Sequence, residues 1–160
     1  MFCVKSEDRR VLKAAKHAMF LFEDANFLTI IASEYYTHTD LTAKHIAKLI
    51  INWVKENDII IGTYKPWYWR SRAQAKFSPK TPDHIYLSER RLTRYADERL
   101  NSASLAGSIL HEIVHLVDHK YKEYTFGHGK GWGANNPTGK ENSAPYRIGR
   151  EAKKHIMRYL

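Results

Sequence analysis

The chain has 160 residues, 43% of them hydrophobic, which is enough for one domain with a buried core. Its 26 lysines and arginines against 17 aspartates and glutamates leave a formal charge of +9, a field that favours polyanions: DNA or other nucleic acid, an anionic membrane surface, or an acidic protein. A single cysteine, Cys3, excludes an internal disulfide and a cysteine-built zinc cluster, and nine histidines leave nitrogen and oxygen to bind any transition metal.

No apolar run approaches the roughly 20 residues of a membrane span. The opening MFCVKSEDRR carries charges where an export signal keeps its apolar core, so a cytoplasmic location is expected, with signal-free secretion as an alternative. No repeat, low-complexity tract or linker divides the chain, and residues 1–160 are read as one domain.

Val11, Leu12, Ala15, Met19 and Phe22 recur at helical spacing and predict a helix over residues 6–25. A second helix is expected over 26–36, and a third from Asp40, a good N-cap, with Ile46, Leu49, Ile50, Trp53 and Val54 on one side. Residues 58–64 are short, β-branched and bounded by turn formers, the pattern of a strand. Residues 65–72, with Pro66, Trp67, Tyr68 and Trp69, read as a loop whose aromatics either cap the core or stack on unpaired bases. Further strands are expected at 74–77 and 84–88, with Pro79 and Pro82 bracketing the turn between them. A helix over 89–100 and another over 102–121 follow, the second capped by Ser102 or Ser104. Gly127, Gly129, Gly131, Gly133 and Gly139 predict a loop, and 146–159 a closing helix. The expected class is α+β: N-terminal helices, a small, mostly three-stranded sheet, then helices.

His111-Glu112-Ile113-Val114-His115 is the HExxH pattern. On a helix, residues four apart share a face one turn apart, so both imidazoles reach one ion. The glutamate beside the first histidine then projects toward the open coordination position, where it serves as general base for a zinc-activated water. Leu105, Ile109, Leu110, Ile113, Val114, Leu116 and Val117 supply apolar contacts around most of that helix. A catalytic zinc takes a third protein ligand. His119 continues the row but lies a further turn away, Asp118 points to a different side, and Glu151 sits on the last helix. His128, on the glycine-rich loop, ranks first by spacing, and Glu141 second.

With His128-Gly129-Lys130-Gly131-Trp132 following the first motif, and Ile85-Tyr86-Leu87-Ser88 preceding it, the chain resembles the SprT-like family, which includes the Spartan DNA–protein crosslink proteases. The resemblance covers residues 59–134. It implies a zincin-like fold, a Zn2+ cofactor held by His111, His115 and His128, catalysis by Glu112, and a protein substrate. The single cysteine cannot build the zinc ribbon that often ends bacterial SprT proteins. The segment 141–146 is similar to the tail of aspzincin-like or effector-type metallopeptidases. The expected function is a zinc endopeptidase acting on proteins, DNA-bound ones included. The alternatives are a secreted effector metallopeptidase and a non-catalytic nucleic-acid-binding module with a structural zinc.

Overall fold

The computed structural model describes residues 2–67, 73–121, 125–127 and 140–159. The class is α+β, with five α-helices and a four-stranded mixed sheet among the described residues. The extra strand is β1 (Phe2–Val4), which lies parallel to β2 (Ile59–Tyr64), pairing Phe2 with Ile59 and Val4 with Ile61. Three residues are too few to show a period, which is why the sequence pattern passed over them. The sheet order is β1-β2-β4-β3, with β4 (Thr81–Ser88) parallel to β2 and β3 (Ala75–Ser78) antiparallel to β4 at the edge. Pro82 belongs to β4 rather than to the turn. The pairing of β4 with β2 begins only at His84, so the missing N–H of Pro82 falls outside that ladder.

Side-chain caps set the helix starts. Asp8 accepts from the Arg10 N–H at 2.9 Å and opens α1 (Arg9–Leu21), which buries Val11, Ala14, Ala15, Ala18 and Leu21. Asp24 accepts from Asn26 and Phe27, ending the first helix short of the expected boundary and starting α2 (Ala25–Ser33). Tyr36 lies beyond that helix and donates its hydroxyl back to the Ile31 carbonyl at 2.6 Å. Thr42, not Asp40, caps α3 (Ala43–Glu56), accepting from the His45 N–H. Ile46, Ala47, Ile50 and Trp53 form its buried face.

The largest departure from expectation concerns the next helix. Residues 89–100 do not form a helix of their own. A short 3-10 turn (Glu89–Arg91) is followed by a bend, and Asp97 accepts from the Leu100 N–H to start α4 (Glu98–Lys120), a helix of 23 residues. Ser102 and Ser104 are therefore interior rather than capping. Asn101 holds the bend in place, donating to the Leu92 carbonyl at 2.5 Å and accepting from the Tyr95 N–H at 3.3 Å. The last helix, α5 (Ala144–Tyr159), carries Pro145 in its first turn, where a missing N–H costs no helical bond.

Helix α4 is the centre of the molecule, touching α1, α3, α5, β3 and β4. Leu105, Ile109, Leu110, Ile113, Val114, Leu116 and Val117 are all buried, as their spacing predicted. No helix among the described residues is long and apolar enough to cross a membrane.

Candidate metal centre and its cleft

Two imidazoles come together on α4. The Nε2 atoms of His111 and His115 are 3.2 Å apart, and their rings meet at 63° with centroids 4.9 Å apart. Two nitrogens, each about 2.0–2.1 Å from a tetrahedral zinc, are separated by about 3.3 Å. The pair therefore fits the spacing that one ion requires. Without metal the same contact is a hydrogen bond between the rings, and an ion takes that place once both Nε2 lone pairs are free, each ring then carrying its proton on Nδ1.

Glu112 is half-buried beside this pair. Burial raises its carboxyl from an ordinary 4.5 to about 7, and the nearby Phe77 backbone works in the opposite direction. Glu112 therefore lies beside β3. The Gln74 carbonyl accepts from the Ser88 N–H of β4, so by antiparallel alternation the peptide groups of Ala75 and Phe77 turn to the outer edge, toward α4.

The neighbouring helix supplies features that the sequence reading did not single out. Tyr146 on α5 stands edge-on to His111, with centroids 4.7 Å apart at 87°. Gly149 lets α5 approach so closely that a β-carbon there would lie 2.7 Å from the Gly107 carbonyl oxygen and 3.3 Å from the His111 Cβ. Tyr146, Gly149, Arg150 and Lys153 fall at helical spacing on one stripe of α5, the signal that could have marked this face.

Asp118 also takes part. One turn beyond His115, its Oδ1 accepts from the Phe126 N–H at 2.8 Å. Gly127 then packs against both groups: a β-carbon there would lie 2.6 Å from the Asp118 Oδ2 and 3.6 Å from the His115 Nδ1. Asp118 thus holds the chain two residues ahead of His128 against the imidazole pair.

His128, ranked first as third ligand, lies outside the described residues, as do Gly129, Trp132 and residues 68–72 of the aromatic loop. Among the described residues no third histidine, cysteine or carboxylate joins His111 and His115 in a group that could share an ion. Glu141 is exposed in a 3-10 turn (Lys140–Asn142), Glu151 pairs with Lys154 at 2.7 Å, and His119 packs on Phe77 with centroids 5.5 Å apart.

The site opens into a cleft of about 400 Å³ between α4, α5 and the start of β3. Gln74 spans its floor, with its Oε1 accepting from the hydroxyls of Ser104 at 3.2 Å and Ser108 at 3.1 Å. A concave, polar-floored space lined at one end by His111, whose ring meets that of His115, and by a carboxyl of raised pKa can present a substrate to a base beside an ion. No family model, curated protein or solved structure matches the chain.

Proposed function

We propose that the chain is a zinc-dependent endopeptidase of SprT-like, zincin-like type, in which His111, His115 and His128 hold the ion and Glu112 is the general base. The observation that carries this reading is the 3.2 Å approach of the two Nε2 atoms, on a helix that also delivers Glu112 to the same cleft. A zinc ion bound there supplies a Lewis acid for the peptide carbonyl and makes water acidic enough to attack at neutral pH. Glu112 takes the proton from the attacking water on a carboxylate oxygen and returns it to the leaving nitrogen. The edge of β3 that turns away from β4 is where an extended substrate would add as a strand.

The extension to DNA-bound proteins draws on the +9 charge and on Trp67, which is 97% exposed at the start of the aromatic loop. Elemental analysis of the reconstituted protein tests the central assignment. It should find about one zinc per chain, lost in His111→Ala and His115→Ala. A wild-type protein that takes up no zinc rules the reading out.

A further inference from the structure

The far end of the cleft carries a charge pattern that metal chemistry does not require. Helices α4 and α5 run antiparallel: Tyr146 meets His111, Gly149 meets Gly107, and the Arg99 guanidinium donates to the Met157 carbonyl at 2.8 Å. Moving along α5 away from Tyr146, the cleft wall presents Arg150 and then Lys153, about 6 and 10 Å further on at 1.5 Å per residue. Arg94 joins them from the bend before α4. The Tyr95 ring lies between two of these cations, with the Arg94 Cζ 5.2 Å and the Lys153 Nζ 5.0 Å from its centroid.

No carboxylate among the described residues pairs with Arg94, Arg150 or Lys153; nearby Glu98 and Glu151 are taken by Lys13 and Lys154. Among the described residues the only acid lining the cleft is Glu112, at its opposite end. Three positive charges around a concave space with a neutral floor of Gln74, Ser104 and Ser108 concentrate a positive field there.

We infer that this end of the cleft is a specificity subsite for an acidic side chain, glutamate or aspartate, of a peptide substrate whose scissile bond faces Glu112. The inference rests on the peptidase reading and adds the substrate's chemistry to it. A peptide is favoured over a nucleic acid strand because the cations share one cleft with His111 and Glu112, the groups that the peptidase reading sets against a peptide bond. An extended peptide advances about 3.3 Å per residue, which places the recognised carboxylate about two to three residues from the bond.

The test uses pairs of quenched fluorescent peptides that differ only by glutamate or glutamine at one position. Zinc-loaded wild type should prefer glutamate at one position on one side of the bond by roughly tenfold in kcat/KM, the scale of a charge-assisted contact. The double variant Arg150→Gln, Lys153→Gln should bring that ratio close to one. Lys44→Gln, Lys48→Gln, which removes equal charge from an exposed face of α3, should leave it unchanged. The same peptides are also titrated by anisotropy against the Glu112→Gln protein, which needs no turnover. If nothing is cleaved but the glutamate peptide binds through Arg150 and Lys153, the peptidase reading fails and the acidic subsite stands. Equal binding and equal cleavage of both peptides overturns the inference. So does a preference abolished equally by the α3 variant. A third overturning result is a single-stranded oligonucleotide whose binding depends on Arg150 and Lys153 while the peptides are not distinguished.

Discussion

Gly107 and Gly149 meet backbone to backbone: a β-carbon on the first would lie 2.4 Å from the other's carbonyl oxygen, and one on the second 2.7 Å from its counterpart. This contact sets how closely α5 approaches the helix that carries the imidazole pair, and so where Tyr146 stands against His111.

Gly107→Ala should therefore destabilise the protein. In an open helix the change would gain about 1 kcal/mol from helix propensity. Here the obstacle is a backbone carbonyl that no rotamer change can move, and overpacking of that kind costs about 1–3 kcal/mol. A net loss of up to about 2 kcal/mol is expected in urea denaturation, and a gain in stability would show that the helices part freely.

Asp118 should matter for metal affinity although it is not itself proposed as a ligand. Its bond to the Phe126 N–H holds the loop that leads to His128. Groups that orient ligands typically contribute about 10–100-fold in affinity. Asp118→Ala should weaken zinc binding by about tenfold in competition with a chromophoric chelator, with helical circular dichroism retained. Unchanged affinity would show that the loop needs no such anchor.

Much of this centre was legible because its signal is local. His111, Glu112 and His115 lie within five residues, and helical periodicity alone predicted which of their neighbours are buried. What escaped was set by contacts distant in sequence. Asp97 displaced Ser102 and Ser104 as the cap because Asn101 ties the preceding bend to the helix. Arg94, Arg150 and Lys153 become neighbours only when α5 folds back along α4, and the Gly107–Gly149 contact that permits this has no local pattern.

The metal-free protein should show a pH signature of Glu112. Its carboxyl is held near 7 in the folded state against an ordinary 4.5, so the folded chain binds more protons than the unfolded chain between those values. Stability is then lost as pH rises through that window, and the penalty is complete above about 7. Glu112→Gln removes it, so the variant should be more stable than wild type above pH 7, with the difference fading toward 4.5. Asp8, Asp24 and Asp83 are held below the usual carboxylate range by bonds from Arg10, His155 and His84, and act alike in both proteins. A difference independent of pH would contradict this account of Glu112.

The third ligand distinguishes the proposed site from a two-histidine, one-glutamate centre. His128→Ala should weaken zinc binding sharply, while Glu141→Ala, on an exposed 3-10 turn, should leave the metal in place. The reverse ranking in a zinc titration would remove both the His128 assignment and the SprT-like reading.

The most direct test of the whole account is hydrolysis of an unfolded protein substrate by zinc-loaded wild type and zinc-loaded Glu112→Gln, with metal content measured in both. The variant keeps both imidazoles, but its amide cannot take the proton from the attacking water. The account predicts cleavage by wild type and none by the variant at equal zinc occupancy. Cleavage by the variant at the wild-type rate, or no cleavage by the loaded wild type, would contradict it.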